Sequence, residues 1–415
     1  MEKDFIITIN NECWGCFKMN NLKEVVVVSG VRTAIGTFGG SLKDIHQTDL
    51  AGLVIKEAVK RAGIEDKLVD EVIVGNVGQI AENGFIGRMC SLKAGLPLET
   101  TAYSVNRQCG SGLQAIADGL MEIQTGNAEI VAACGTENMS QLPYYVKGAR
   151  FGYRMGHGQF EDGLLTILTW PMGPYHNGIT AENVAERFNV TREQQDIFAL
   201  SSQEKAVKAI DEGKFKEEIL PVEISLGKGK TAMFDTDEHP RRGLTLEKLA
   251  KLRPVFKEGG SVTAANASGI NDGAAAVVLM SREKAEQLGL QPILTIKGFA
   301  VAGNEPEIMG FAPALSTKKL LNKLNLKVQD IDLIELNEAF ASQSIAVIND
   351  LQLDMNKVNV NGGAIALGHP VWATGVILTV KLMYEMKKQN AKLGLVTMCI
   401  GGGQGISMLF ENNLI

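Results

Sequence analysis

Aromatic residues are scarce in this chain, 6% of 415, so aromatic stacking on a ligand is not a dominant theme. Six cysteines, at positions 13, 16, 90, 109, 134 and 399, are spread too thinly for a disulfide scaffold. No apolar run approaches the ~20 residues of a membrane span. Basic residues number 41 against 47 acidic ones, a formal net charge of −6. With no basic excess to neutralise a phosphate backbone, nucleic-acid binding is excluded as the main task. The opening residues are not patterned as a secretory signal, and the last four carry no peroxisomal address. The expectation is a reduced, cytoplasmic protein with neither nucleic acid nor membrane as partner.

Apolar residues at 45% and charged residues at 21% fit an ordinary globular enzyme. The 45 glycines exceed the usual share of roughly 7% and point to tight turns or close approaches between backbone and ligand. The length allows two or three domains, or one large repeated fold. Residues 1–22 read as a polar extension; their Cys13–Cys16 pair has no second Cys/His pair at metal-site spacing, and Met19 could serve as a second start.

The body opens on a β-branched run after Glu24, VVVVSG, the pattern of a strand buried on both faces. Leu50, Leu53, Val54, Ala58 and Ala62 recur at helical spacing. A strand follows from Asp70 (DEVIVGNV). Then come a strand over Tyr103–Arg107, a helix with Leu113, Ile116, Ala117 and Leu120 on one stripe, and a strand from Glu129 (EIVAAC). Strands alternating with helices predict βαβ units.

The order then returns: a helix over Leu320–Leu326, a strand from Asp332 (DLIELNEAF), a strand from Lys357 (KVNVNGG), a helix from Val376 to Lys387, and a strand from Leu393 (LGLVTMC). VDEVIVGNV (69–77) matches DIDLIELNEA (330–339), VNRQCGSG (105–112) matches VNVNGGAIALGHP (358–370), and IVAACGTE (130–137) matches LVTMCIGG (395–402). A common offset of about 260 residues predicts a duplicated domain. The expected division is a first half over 23–141, completed by about 270–290, an insertion over 142–269, and a second half over 291–415. The insertion carries a helix from Thr191 to Gly213, with Thr191 and Gln194 as a capping box.

Cys109 falls in a Gly-rich turn between a strand and a helix that begins near Ser111. A helix N-terminus offers free N–H groups and a positive dipole end, so a thiolate is expected there. The matching turn of the second half holds His369. If the halves pack about a pseudo-twofold axis, the two turns meet and set a nucleophile beside a base. Cys399 ends the last long strand ahead of a glycine run, so its thiol is expected at the same sheet edge. Cys134 reads as structural.

VNRQCGSG, NEAFA (337–341), GGAIALGHP and CIGGG, in this order over roughly 23–415, resemble the thiolase family; TAEN (180–183), KLRP (251–254) and NASGINDGAA (266–275) match it as well. The resemblance implies an α/β fold of five layers, αβαβα, built from two repeated halves plus a loop domain that binds coenzyme A. It implies a homotetramer or homodimer, no tightly bound cofactor, no metal, and coenzyme A thioesters as substrates. The implied reaction is acetyl-CoA C-acetyl transfer: two acetyl-CoA condense reversibly to acetoacetyl-CoA and CoA through a thioester on Cys109.

By the same resemblance His369 activates Cys109 and donates to an oxyanion. Cys399 moves the α-proton, and Asn337 holds a water beside His369. The amides of Cys109 and Gly401 form a second oxyanion hole. His176, Ser268, Arg241, Met309 and Ala339 fall to the coenzyme A and acyl pockets. The physics agrees: α-proton removal from a thioester needs donors placed where enolate charge develops, and a thiol tuned toward neutrality can move that proton. Ketoacyl synthases and hydroxymethylglutaryl-CoA synthases lack the cysteine of CIGGG, so Cys399 argues against them.

Two positions depart from the family pattern. Asn177 stands where short-chain members have Met, after an apolar loop (165–175), which leaves a broader 3-ketoacyl-CoA thiolase as the alternative. Trp372 stands where GHPxGxxG expects Gly. So large a side chain is expected to reshape or partly occlude the pocket beside His369, or even to leave a weakened CoA-binding homologue.

Overall fold

The computed structural model describes residues 22–78, 80 and 83–415. The Cys13–Cys16 pair and Met19 lie outside them. Nine strands carry the architecture: β1 (Val25–Thr33), β2 (Glu71–Gly75), β3 (Thr101–Val105), β4 (Ile130–Asn138), β5 (Asn271–Ser281), β6 (Leu294–Gly303), β7 (Leu333–Leu336), β8 (Leu393–Ile400) and β9 (Gln404–Asn412). The principal helices are α1 (Gln47–Ala62), α2 (Ile86–Lys93), α3 (Ser111–Thr125), α4 (Asn177–Arg187), α5 (Arg192–Asp211), α6 (Ala312–Leu324), α7 (Ala341–Leu351) and α8 (Thr374–Gln389).

The strands run in the order β7-β8-β9-β6-β1-β5-β4-β2-β3. At the centre β1 meets β6 antiparallel, through Val26–Thr295 and Val27–Leu294. Outward from there both directions read alike. In one, β5 and β4 follow antiparallel, then β2 and β3 parallel. In the other, β9 and β8 follow antiparallel, then β7 parallel, and Val358 bridges β7 in parallel. The offset in the sequence thus reappears as matching strand order and polarity.

Helices α3 and α8 touch each other and both halves of the sheet, forming the central layer; α1 and α2 cover one outer face and α6 the other, with α7 against α6. These are the five layers. Burial follows: β1, β4 and β5 are buried along their full lengths, so their β-branched and small residues face packed layers on both sides. Among the described residues no helix is long and apolar enough to cross a membrane.

Several expected elements shift. The α1 stripe runs Leu50, Val54, Ile55, Ala58 and Ala62, while Leu53 points to solvent. The third strand ends at Val105, because the chain must turn there to present Cys109. The strand after Asp332 ends at Leu336. The run after Lys357 keeps only the Val358 bridge, and α6 starts earlier, at Ala312. The capping box of Thr191 and Gln194 forms as read, with α5 stopping at Asp211.

Between β4 and β5 the chain makes its long excursion through α4, α5 and the antiparallel strands Val222–Gly227 and Lys230–Phe234. A buried ion cluster pins it to the sheet. Arg32 on β1 bonds Glu218 at 2.8 Å and reaches Asp237 through both terminal nitrogens, at 2.7 and 2.9 Å. Glu182 closes another loop by accepting from the amides of Ser261 and Val262.

Candidate active site

The N-termini of α3 and α8 abut, and glycines make this possible. A Cβ on Gly112 would stand 2.9 Å from the Trp372 carbonyl oxygen, and one on Gly375 would stand 2.2 Å from the Leu113 nitrogen. A Cβ on Gly110 would strike Ile400 at 2.7 Å, so the same turn is pressed against the end of β8. Cys109 precedes α3, His369 precedes α8 and Cys399 lies near the end of β8, so one close contact gathers three chemical groups. Gln108, just before Cys109, takes a left-handed φ of 45° to complete the turn.

All three side chains line one cavity of about 500 Å³. His176, Arg241, Ser268, Met309 and Ala339 line it too. Asn337 and Gly401 sit behind its wall. Asn337 is fully buried, with Nδ2 3.3 Å from His369 Nε2 and Oδ1 without a hydrogen-bond partner among the described residues. The Gly401 amide is directed at the Cys109 sulfur.

His369 is held in one tautomer. Its Nδ1 lies 2.7 Å from Thr374 Oγ1, and that hydroxyl donates to the Pro370 carbonyl at 2.9 Å. With its only hydrogen committed, Thr374 accepts from Nδ1–H, leaving the Nε2 lone pair to accept from Asn337 Nδ2–H at 3.3 Å. The His369 amide donates to Asn271 Oδ1 at 2.9 Å, and Asn271 in turn donates to the Gly36 carbonyl. Burial pushes the imidazole down to about 4, so it is neutral at physiological pH.

The thiols depart from expectation. Burial pushes Cys109 up, outweighing the N–H groups of Gly401 and of Cys109 itself that favour the thiolate. Cys399 is raised strongly by burial, and further by neighbouring Cys109. The apolar surroundings, with Ala267, Met309, Ala339 and Phe340 clustered around Cys399, keep both sulfurs protonated. A neutral imidazole beside a neutral thiol is therefore the resting arrangement.

Toward the mouth, His176 stacks on Phe256 with centroids 4.8 Å apart, and its Nδ1 accepts from the Gly178 amide. The Ser268 amide donates to the Ala339 carbonyl at 3.0 Å. Arg241 is exposed at the rim, its amide on Gln203 Oε1. Among the described residues no three or more His, Cys, Asp or Glu side chains gather as metal ligands would.

Trp372 does not enter the cavity. The indole is buried with Val77, Met139, Leu164 and Val371, one layer behind the wall, and its ring edge fills the space beside Gly78. The occlusion expected from sequence is therefore absent: the backbone at 372 faces Gly112 and Gly135 and turns the side chain away from His369.

Sequence reasoning missed Thr374, Asn271 and His239. Thr374 lies five residues beyond His369, and that spacing was the available signal. His239, pushed down to about 4 by burial and by Arg241, lines the cavity from the insertion, with nothing local to mark it.

Known proteins share this frame. The model of the thiolase N-terminal domain matches residues 25–283, and that of the thiolase C-terminal domain matches 290–412. An acetyl-CoA acetyltransferase of Syntrophomonas wolfei is 50% identical over 394 residues, covering 94% of this chain and 99% of that protein. The crystal structure of the Bacillus anthracis acetyl-CoA acetyltransferase superposes with a TM-score of 0.93 at 46% identity, over 95% of this chain and all of the other. Human mitochondrial 3-ketoacyl-CoA thiolase in complex with CoA gives 0.91 at 42% identity, over 94% and 98%. By both domain models and by near-complete alignment at such identity, the chain belongs to the thiolase family.

Proposed function

We propose that the protein is an acetyl-CoA C-acetyltransferase, condensing two acetyl-CoA reversibly to acetoacetyl-CoA and CoA. The observation that carries this reading is the convergence of Cys109, Cys399 and His369 on one cavity. A ketoacyl synthase or a plain binding protein has no use for the second thiol. Relatives that bear the acetyltransferase name, about half identical along the whole chain, support the choice of substrate.

In the first half-reaction the Cys109 sulfur attacks the thioester carbonyl while His369 Nε2 takes its proton. The new S–C bond forms, the bond to CoA breaks, and CoA leaves as a thiol with the proton of Cys399, leaving a Cys399 thiolate and a His369 imidazolium. The amides of Cys109 and Gly401 stabilise the oxyanion. In the second, the Cys399 thiolate takes an α-proton from another acetyl-CoA. The carbanion attacks the acyl carbonyl, and Cys109 departs and recovers its proton from His369 Nε2, so that both thiols end protonated. Asn337 Oδ1, without a partner among the described residues, would orient a water that shares the enolate charge with the imidazolium Nε2–H of His369. Because both thiols rest protonated, the thiolate that takes the α-proton is formed only as CoA leaves and is absent from the resting site.

His176, Ser268, Arg241, Met309 and Ala339 would hold the pantetheine, adenine end and acyl group. In this reading the insertion 142–269 is the coenzyme A-binding loop domain between the two repeated halves, and the assembly is a homodimer or homotetramer. Mixing with acetyl-CoA followed by intact-mass measurement tests the chemistry. An acetyl adduct present in the natural protein and absent in Cys109→Ser is expected; no adduct in the natural protein sinks the reading. Thiolysis of acetoacetyl-CoA, followed by loss of its absorbance, is expected to outpace that of longer 3-ketoacyl-CoA esters. The reverse order would favour the broader-chain alternative.

A further inference from the structure

Asn177 supplies a polar group that the chemistry above does not use. It is the first residue of α4, and its backbone is fixed at both ends. Its N–H donates to the Leu168 carbonyl at 2.9 Å, and its carbonyl accepts from Thr180 Oγ1 at 2.6 Å. The carboxamide lines the cavity and, among the described residues, makes no hydrogen bond. Its Nδ2 stands 3.8 Å from where a Cβ on Gly401 would be, and the Gly401 amide points at the Cys109 sulfur. The amide therefore looks onto the space next to the nucleophile. Leu168, Ala339 and Phe340, which line the same cavity, carry no side-chain acceptor. The Trp170 ring packs on the next residue of the glycine run, 2.9 Å from a Cβ position on Gly402.

An unpaired amide in an apolar wall discriminates by what it loses. An unsubstituted acyl chain strips water from it and returns no hydrogen bond, whereas a chain bearing an oxygen restores one. We propose that Asn177 is a specificity-determining residue that donates an N–H to an oxygen on the acyl chain carried by Cys109, so that the site prefers short hydroxy- or oxo-substituted acyl thioesters to plain chains of equal length. This rests on the acyl-Cys109 reading. The bonds made and broken are those of the first half-reaction, with no further reactant.

The test compares the second-order rate constant for single-turnover acylation of Cys109, read as CoA release, by 3-hydroxybutyryl-CoA and butyryl-CoA in the natural protein, Asn177→Leu and Asn177→Met. Leu is a near-isostere without polarity; Met is longer and likewise has no N–H. The hydroxylated substrate is expected to lead by about tenfold in the natural protein, and the ratio to fall toward one in both variants. Melting curves establish that each variant is folded, and either variant alone suffices. A ratio that neither substitution moves overturns the proposal. So does an equal loss for both substrates, which would make the amide a donor to the shared thioester carbonyl. Failure of the acyl-Cys109 reading would show separately, as absence of the adduct from acetyl-CoA, which carries no such oxygen.

Discussion

Replacing Thr374 with Val probes how the imidazole is aimed. The substitution conserves shape but removes the acceptor 2.7 Å from His369 Nδ1. The ring then has two choices. It can keep its hydrogen on Nδ1, buried and unpaired, at about 1–3 kcal/mol. Or it can move the hydrogen to Nε2, where the lone pair that should receive the Cys109 proton disappears. Either way the competent state is disfavoured by a similar amount, and at 1.36 kcal/mol per decade the acylation rate falls about 10- to 100-fold. Since burial holds His369 near 4, it stays neutral through pH 5–8, and the loss should be uniform across that range. The assay is a single-turnover acetylation of Cys109 by acetyl-CoA, quenched and followed by intact mass. Thr374→Ser keeps the hydroxyl and should recover most of the rate. The reasoning is refuted if Thr374→Val acylates at the natural rate, or if Ser is as slow as Val.

Other consequences follow from buried groups. His369 binds its proton less readily when folded, about 4 against 6.5 unfolded, so its contribution is complete above pH 6.5 and is lost as pH falls toward 4. His369→Asn should therefore shrink the stability lost between pH 7 and pH 5 by about 2 kcal/mol in urea titrations; an unchanged difference would contradict the assigned burial. Arg32→Met leaves Glu218 and Asp237 buried without their cation and should cost about 3–5 kcal/mol. A loss under 1 kcal/mol would show that the cluster does not anchor the insertion. Trp372→Gly should cost about 3–5 kcal/mol by emptying its packed site, with the KM for acetyl-CoA little changed. A large shift in KM at unchanged stability would mean that the indole reaches the substrate after all.

Much of the frame was legible because its signals are local and periodic. The valine run of β1, the α3 stripe and the Thr191 capping box each need only a dozen neighbouring residues to be read. The repeat added long-range information: two turns at matching offsets, one with Cys109 and one with His369, had to occupy equivalent places. Where reading failed, the deciding contacts were remote. Leu53 shares the spacing of its helix but not the partner, and the run after Lys357 has strand composition but only one bridging residue.

What the amino-acid order determined by itself was the doubled α/β frame and which residue types stand at the turns, since periodicity and repetition are properties of the chain alone. Tertiary structure decided the rest. It set the hydrogen on His369 Nδ1 through Thr374, raised both thiols by burial, turned Trp372 behind the wall and brought His239 in from the insertion. Each of these depends on what lies across a contact between distant segments, and neither hydrogen-bond partners nor local dielectric is written in the neighbours along the chain.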